Sequence, residues 1–292
     1  MYNSFQLRRM KSTLLPTLKI ANTHERDANL LFDEPSHKYT IITDPDSPYM
    51  SVTTFNHKQF PKFDADGVIN KMMKGKNWQP GHKYWGLTAE QIKQQWSDNG
   101  KSVSSAGTEL HYDIECFMNQ PMFNATHETL LKNFEENPPD YINESVEWHY
   151  FMNFIKSFPE LKPYRTEWMI YDEDVKLAGS IDMIYENPVT GVLTIFDWKR
   201  AKEILKANNW GACASTECIN HLPDTNFWHY SLQLNTYKKI LQAKYGKVVN
   251  ELYLVKLHPD NKRKTYELIK CADLSKEIED LFLMRKEEIN NS

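Results

Sequence analysis

Two carboxylates and one amine near the middle of the chain are the side chains best suited to chemistry. Asp197 and Lys199 occupy alternate positions of the run 192–199, so a strand there points both the same way. Asp182 lies in the preceding run, and the turn residues between them predict an antiparallel hairpin, in which residue numbers of facing pairs sum to about 378 or 379. Asp182 is then opposite Asp197 or one place away. Like charges this close repel unless a cation lies between them, so the hairpin predicts a divalent-metal hydrolysis site.

The D/E-x-K tripeptide is weak evidence by itself. The chain contains four of them, at 160–162, 174–176, 197–199 and 260–262. Most such tripeptides are solvated surface charge. The assignment of Asp197 and Lys199 therefore depends on the motifs that surround them.

The composition is that of a globular protein. The chain has 292 residues, 40% of them hydrophobic, and a formal net charge of -4. This length allows one large domain, or one domain with a smaller appendage. The net charge gives no overall attraction to nucleic acid, so any such binding must come from a local patch. Segment 56–83, with six lysines and two aspartates, is the candidate patch, although an ordinary solvated face has the same composition.

The chain lacks the usual signals for a membrane or for secretion. No run approaches the roughly 18 apolar residues that cross a bilayer, and the first residues lack the apolar core of a secretory signal. We therefore expect a soluble, intracellular protein without a membrane partner. Residues 1–24 contain four basic residues and no acid, which indicates either an organelle transit segment or a basic arm.

Four cysteines raise the question of a metal cluster. They are Cys116, Cys213, Cys218 and Cys271. In number they could hold an iron–sulfur cluster, and Cys213 and Cys218 with His221 could form part of a zinc site. Neither arrangement has the spacing typical of such sites, so we expect free thiols and no iron–sulfur cluster.

Periodicity and capping residues predict alternating helical and extended segments. A flexible arm is expected over 1–30, an N-terminal strand and helix region that contacts substrate over 31–103, and the main core over 104–292. Gly100 is expected to end a helix, and 120–144 to form a polar connection. Short strands are expected over 31–57, helices at 64–76, 88–99, 104–119, 144–157, 226–245 and 274–288, and strands at 164–171, in the 177–199 hairpin and at 249–257.

Four motifs follow one another along these elements. They are Gly107-Thr-Glu-Leu-His111 on a helix, Gly179-Ser-Ile-Asp182 and Asp197-Trp-Lys199 on the hairpin, and Gln233-Leu-Asn-Thr-Tyr237 on the next helix. Together they resemble the PD-(D/E)XK nuclease superfamily, in its RecB and lambda-exonuclease-like branch. The segment 49–54 and the Trp96 region are similar to the mitochondrial genome maintenance exonucleases and to viral and phage exonucleases. Ile181 stands where proline is common and Asp197 where glutamate is common.

The resemblance implies an α/β fold with a restriction-endonuclease-like core, a central mixed sheet flanked by helices, and a largely helical N-terminal region. It implies a Mg²⁺- or Mn²⁺-dependent deoxyribonuclease, acting as an exonuclease on single-stranded DNA or duplex ends in repair, recombination or replication. The cysteines do not occupy the positions of the cluster-bearing members of this branch.

The resemblance also assigns roles to individual residues. Metal ligands would be His111, Asp182, Asp197 and the carbonyl of Trp198, and Lys199 would orient the attacking water. Glu167 would bind a second metal or a metal-bound water, and Glu115 would be a partner of His111. Gln233 and Tyr237 would position the phosphate or Lys199. The implied phosphate contacts are Thr53, Thr54, Arg200 and Lys202.

Two other functions stay open. An RNA endonuclease of the cap-snatching type shares His, Asp, acidic and Lys elements on a similar core, although the Q-x3-Y and G-T-x-x-H motifs favour DNA. A nuclease fold that has lost catalysis and binds nucleic acid or a protein is the third possibility. Digestion polarity, oligomeric state and physiological metal are not predicted.

Overall fold

The computed structural model describes residues 16–291. It contains a mixed central β-sheet with helices on both faces, so the coarse fold prediction is confirmed. The strands are β1 Leu30–Asp33, β2 Lys38–Ile41, β3 Met50–Ser51, β4 Lys162–Asp172, β5 Leu177–Glu186, β6 Leu193–Lys199, β7 Val249–Lys256 and β8 Glu267–Lys270. The α-helices are α1 Thr17–Ala21, α2 Val52–His57, α3 Ala65–Met73, α4 Ala89–Met118, α5 His127–Glu136, α6 Val146–Ser157, α7 Asn226–Lys244 and α8 Ser275–Asn290, with 3-10 turns at Glu25–Asn29 and Glu217–Ile219.

The central sheet opens beside the Gly179-Ser-Ile-Asp182 motif. Strand β4 pairs with β5 along its whole length, so β4 occupies one edge of β5. Strand β6 pairs antiparallel with residues 183–186 of β5, and β3 pairs parallel with residues 177–178. Both must therefore use the other edge, on which residues 179–182 pair with neither strand. We call this unpaired stretch of β5, between β3 and β6, the strand gap. Asp182 lies within it.

The remaining strands extend the sheet beyond β6. Strand β7 runs parallel to β6 and pairs Leu254 with Asp197, and β8 runs antiparallel to β7. A parallel neighbour requires a crossover connection, which helix α7 supplies between β6 and β7. Because α7 must pack back on the sheet, it covers the strand that holds Asp197 and Lys199.

The two faces of the sheet pack against different helices. Leu193 and Ile195 belong to a buried cluster with α7 and α8, whereas Phe196 and Trp198 belong to a second cluster with α4, α5 and α6. This is the alternation expected of a strand with both faces covered. It confirms the predicted faces of β6.

The N-terminal segment is folded from residue 16 onward. Asp27 forms a buried ion pair with Arg165 at 2.8 Å and accepts a hydrogen bond from the Trp168 indole at 2.9 Å. These contacts fasten the 3-10 turn to β4 and lead the chain into the β1–β2 hairpin. The prediction of a flexible arm over 1–30 is therefore wrong for residues 16–30. Its first part, with most of the basic residues of the predicted transit segment, lies outside the described residues.

Helix α4 is a single 30-residue helix, so the predicted stop at Gly100 is wrong. Thr88 begins it with a capping box, in which Gln91 returns the hydrogen bond. A glycine inside a helix costs only about 1 kcal/mol relative to alanine, which the flanking turns tolerate. The first half of α4 contacts α3, each of the two helices has one fully buried isoleucine, Ile92 and Ile69, and the second half of α4 carries His111.

Three further elements differ from the predictions. Residues 52–57 form helix α2 instead of a strand, because the Ser51 side chain caps it by accepting from the Thr54 amide. The connection at 120–144 contains α5, which begins at the Thr126 cap. Strand β8 was not predicted. It has only four residues, and none of them is fully buried, so it lacks a marked apolar face. No helix within 16–291 combines the length and apolar character needed to span a bilayer.

Candidate metal and phosphodiester site

Three side chains from three different elements bring ligand atoms together beside the strand gap. His111 on α4, Glu167 on β4 and Asp182 on β5 each offer an atom within 4.8 Å of the other two. Hard oxygen ligands and one imidazole are a donor set suited to Mg²⁺ or Mn²⁺. The structure thus unites two of the predicted ligands, His111 and Asp182, with Glu167.

The hairpin register agrees with the prediction. Met183 pairs with Phe196 and Ile184 with Ile195, and both sums are 379. Beyond the last pair, this register sets Asp182 opposite Asp197. Regular pairing ends there because the Asp182 carboxylate accepts a hydrogen bond from the Trp198 amide at 3.1 Å. The carboxylate thus takes the place of the backbone acceptor that β5 would otherwise supply.

The contacts of His111 test whether a cation fits. Its Nε2 lies 3.0 Å from the Trp198 carbonyl oxygen, which can only accept, so Nε2 must carry the hydrogen. In the neutral ring Nδ1 is then an acceptor, yet it lies 3.6 Å from an Asp182 carboxylate oxygen. Two acceptors that face each other require a cation or a proton between them. The carbonyl predicted as a ligand is thus used first by His111, although its second lone pair remains.

Asp197 is buried in an ion pair with Lys199. The two charged groups are 2.5 Å apart, and Asp197 is only 2% exposed. Burial raises the pKa of Asp197 to about 7, although the charge of Lys199 acts to lower it. Burial acts to lower the pKa of Lys199, but the charges of Asp197 and Asp182 raise it above its usual value. Asp197 is not one of the three residues that share the 4.8 Å cluster.

Tyr230 of α7 completes the surroundings of Lys199. The Lys199 ammonium lies 4.6 Å from the centre of the Tyr230 ring. A cation over an aromatic face is attracted by its quadrupole, and the attraction strengthens away from water. The ring and Asp197 together hold the ammonium in one place. Tyr230 was not among the predicted site residues.

Glu167 has a backbone conformation unusual for a strand residue. Its φ is 42°, in the left-handed region that residues other than glycine, asparagine and aspartate seldom adopt. The carboxylate accepts a hydrogen bond from the Ser180 hydroxyl at 2.8 Å. Burial and the neighbouring charge of Asp182 raise the pKa of Glu167 to about 8. Strained backbone of this kind concentrates at functional sites.

The Q-x3-Y pair lies over the strand gap. Gln233 donates hydrogen bonds to the Tyr237 hydroxyl at 3.1 Å and to the Thr53 hydroxyl at 3.4 Å. The Tyr237 ring lies directly against Gly179, where an added Cβ would approach a ring carbon to 2.8 Å. Burial raises the pKa of the Tyr237 hydroxyl well above its usual value. These contacts join α7, α2 and the first-carboxylate motif.

The other predicted phosphate contacts lie apart from this group. Thr54 is exposed and its hydroxyl accepts a hydrogen bond from Ser51. Arg200 donates to the buried Glu147 at 2.7 Å, and the exposed Lys202 lies 3.8 Å from Asp260. Only Thr53 is joined to the central residues, through Gln233.

Sequence reasoning missed Ser180 and Tyr39 as well as Tyr230. Ser180 lies within the first-carboxylate motif, so its proximity to Asp182 was a usable signal. Tyr39 reaches the site from the β1–β2 hairpin, and burial together with the charge of Glu167 raises the pKa of its hydroxyl to about 12. No sequence signal connects Tyr39 to Glu167. Glu115, the predicted partner of His111, lines the same cleft as Tyr39 and His111.

The cysteines are distributed over separate elements. Cys116 belongs to α4, Cys213 and Cys218 to the segment between β6 and α7, and Cys271 follows β8. None of the four, all within 16–291, forms a disulfide. Cys218 lies 3.6 Å from the Met284 sulfur, and His221 lies 3.2 Å from Glu277, so each has a neighbour other than the imagined zinc partners.

Comparison with known proteins adds no further information: no family model matches the chain, and no curated protein does.

Proposed function

We propose that this protein is a metal-dependent deoxyribonuclease of the PD-(D/E)XK superfamily that hydrolyses phosphodiester bonds as an exonuclease. The observation that carries the proposal is the cluster of His111, Glu167 and Asp182 ligand atoms within 4.8 Å, beside the Asp197–Lys199 pair. A metal site can activate water and neutralise phosphate charge, and a buried, positioned amine beside it can stabilise further negative charge, so the arrangement suits phosphodiester hydrolysis.

The donor set fits Mg²⁺ or Mn²⁺. His111, through Nδ1, and Asp182 would hold the ion with Glu167. The Trp198 carbonyl faces Nε2 on the other side of the ring, so Asp197 is the predicted ligand left to complete the shell. A bound divalent ion would lower the pKa of a water molecule and neutralise charge that develops on the phosphate. The imidazole favours Mn²⁺ over Mg²⁺, which prefers oxygen ligands.

Lys199 supplies the positive charge that the protein itself contributes. Its amine stays protonated at neutral pH because Asp197 and Asp182 raise its pKa. It therefore acts by orienting an attacking water and stabilising negative charge, and not by removing a proton. Tyr230 and Asp197 restrict its motion, so little reorganisation is needed when charge develops.

Gln233 and Thr53 are suited to hold a phosphate oxygen at the strand gap. The Gln233 amide already reaches from Tyr237 to Thr53, and Thr53 is exposed at the first turn of α2. Hydroxyl and amide donors contact phosphate oxygens without reading sequence. Their position supports hydrolysis that is independent of base sequence.

The region before His111 supports a single-stranded substrate. Trp78 and Trp85 have ring centres 5.7 Å apart, and Phe63 is 73% exposed beside Trp96. Phe63 and Trp78 lie within segment 56–83, which has six lysines, and Trp85 and Trp96 follow it in the sequence. Exposed aromatic rings beside positive charge are typical of surfaces on which unpaired bases stack.

The direct test is cleavage of end-labelled single-stranded DNA by the purified chain. We expect products with Mn²⁺ or Mg²⁺, none in EDTA, and at least a 100-fold loss with Lys199→Ala, since removing one positioned group that stabilises developing charge costs about 10² to 10³ in kcat. Lys262→Ala is the matched control, because this exposed lysine ends the tripeptide at 260–262. It should cleave like the wild type.

Three results would contradict the proposal. One is no cleavage by the wild type with either metal, and the second is equal cleavage by Lys199→Ala. The third is cleavage of single-stranded RNA in preference to DNA of the same sequence, which would favour an RNA endonuclease. Substrates blocked at one end or the other would give the polarity of digestion.

A further inference from the structure

A cleft adjoins the candidate ligand cluster of His111, Glu167 and Asp182. It is bounded by the β1–β2 hairpin, the second half of α4 and strand β4, and it has a volume of about 450 Å³. His111, Glu167 and Ser180 line one end of it. Small-molecule sites occupy roughly 300 to 1,000 Å³, so the cleft is large enough for one nucleoside-sized group.

One wall of the cleft is aromatic and apolar. Phe32 and Tyr39 are direct partners across the β1–β2 hairpin, and their ring centres are 4.6 Å apart. Both rings are only half-buried, and Leu30 and Met169 extend the same wall. Half-buried rings at the wall of a cleft provide a flat apolar surface for another ring system.

The charged groups in the cleft are mainly acidic. Four acids and two bases line it, and one of the bases, Arg165, forms an ion pair with Asp27 at 2.8 Å. The lining acids are Asp27, Glu34, Glu115 and Glu167, and the bases are Lys19 and Arg165. Asp27 and Arg165 neutralise each other, and Glu167 belongs to the candidate ligand cluster, so Glu34 and Glu115 stand against Lys19. This slightly acidic lining favours a neutral ring over a second phosphate, and carboxylates accept hydrogen bonds from the amino groups that nucleobases carry. The occupant is therefore a base and not its phosphate.

We propose that this cleft binds the nucleobase of a nucleotide next to the scissile phosphate, with Phe32 and Tyr39 as its stacking wall. The inference rests on the proposed nuclease function and adds a subsite to it. Tyr39 connects the two regions, because its hydroxyl lies near Glu167 while its ring pairs with Phe32. A base held in the cleft fixes the position of its phosphate at the metal cluster. The β1–β2 hairpin thus serves as a substrate-positioning element.

An abasic substrate tests the subsite. Single-stranded DNA is prepared with an abasic nucleotide on the 5′ or the 3′ side of the cleaved bond, and cleavage by wild type and Phe32→Leu is compared. We expect Phe32→Leu to lower kcat/KM about tenfold on ordinary DNA, the effect of losing one base–aromatic stack. On the DNA with the abasic nucleotide at the subsite, it should change kcat/KM less than twofold. Leu31→Val, on the outer face of β1, is the control and should have no effect on either substrate.

The outcomes separate the two proposals. If the wild type cleaves no DNA, the nuclease function fails. If it cleaves, and Phe32→Leu loses the same factor on ordinary and abasic substrates or loses nothing, the subsite alone fails. Photo-crosslinking gives a readout without turnover: 5-iodouracil placed at the subsite nucleotide, with Ca²⁺ in place of Mg²⁺, should crosslink to the peptide that holds Phe32 and Tyr39. A crosslink elsewhere, or none, contradicts the subsite even if Phe32→Leu does not fold.

Discussion

The Tyr237 ring packs on the backbone of Gly179 at a distance that leaves no room for a side chain. A Cβ on Gly179 would lie 2.8 Å from a Tyr237 ring carbon and 3.3 Å from the Val52 side chain. The glycine of the first-carboxylate motif therefore allows α7 to approach the sheet beside Asp182. Tyr237 of the Q-x3-Y motif and Gly179 of the first-carboxylate motif are therefore in direct contact with each other.

Gly179→Ala should destabilise the protein, because the added methyl group meets a fully packed ring. Overpacking of this kind costs about 1 to 3 kcal/mol, and displacement of Tyr237 should also lower nuclease activity. Urea unfolding measures the first effect and DNA cleavage the second. Gly100→Ala is the matched control, since a Cβ there meets no atom within 4 Å, and this change should stabilise helix α4 by up to about 1 kcal/mol. An equal effect of the two substitutions would contradict the packing argument.

Tyr230 should matter to catalysis through its ring and not through its hydroxyl. Tyr230→Phe keeps the aromatic face under Lys199 and should retain activity within about twofold. Tyr230→Leu removes the cation–π contact, worth about 2 kcal/mol away from water, and should lower kcat by roughly tenfold. KM for DNA should change little, because Tyr230 acts on Lys199 and is not proposed to contact the DNA strand. Equal activity of the two variants would show that the ring does not position Lys199.

Glu167 should show a trade-off between stability and activity. Its left-handed backbone costs about 1 to 3 kcal/mol for a residue of this type, whereas asparagine tolerates that conformation. The free energy of unfolding, measured with urea, should therefore be about 1 kcal/mol higher for Glu167→Asn than for Glu167→Gln. Both variants lose the carboxyl group, but glutamine keeps the backbone strain. Both variants should lose nuclease activity, as neither provides a carboxylate to the cluster. If the glutamine variant is the more stable one, strain at this position is not significant.

Stability without divalent metal should fall as pH rises from about 4 to about 8. Glu167 and Asp197 have folded-state pKa values of about 8 and 7, above their ordinary values of 4.5 and 3.8. Between these limits the folded state holds more protons than the unfolded chain, so each rise in pH favours unfolding. The slope can reach about 1.4 kcal/mol per pH unit for each carboxyl.

Mn²⁺ should reverse this trend, because a cation stabilises the ionised carboxylates. At pH 8 we expect millimolar Mn²⁺ to raise the melting temperature of the wild type, and EDTA to remove the increase. Asp182→Asn should abolish the increase, while Asp260→Asn, at the surface, should keep it. An unchanged melting temperature for the wild type would mean that the cluster does not bind the ion.

The hairpin and its register could be predicted because they depend on local rules. Period-two alternation and the turn residues between the two runs predicted that Asp182 lies opposite Asp197 or one place away, and the observed sum of 379 is the register that sets them opposite. The helix that carries Gln233 and Tyr237 was also predictable, from its apolar stripe and from Gly246 at its end, where φ is 61°.

Other features depend on contacts between distant residues. The approach of Tyr39 to Glu167 requires the β1–β2 hairpin to fold onto β4, and nothing near either residue in the sequence encodes that distance. The strained φ of Glu167 is imposed by its strand neighbours, since glutamate has no intrinsic preference for it. Helix α4 passes Gly100 because Ile92 and Leu110, on either side, are both buried. A local helix-breaking rule cannot weigh such contacts.

The unbroken course of α4 has a mechanical consequence. Ile92, fully buried in the half of α4 that contacts α3, and His111, in the candidate ligand cluster, are 19 residues apart on one rod, or about 28 Å at 1.5 Å per residue. A rod without a hinge transmits a tilt at one end to the other. A change in the packing of α3 would therefore move the imidazole relative to Asp182, although no residue of α3 belongs to the candidate ligand cluster.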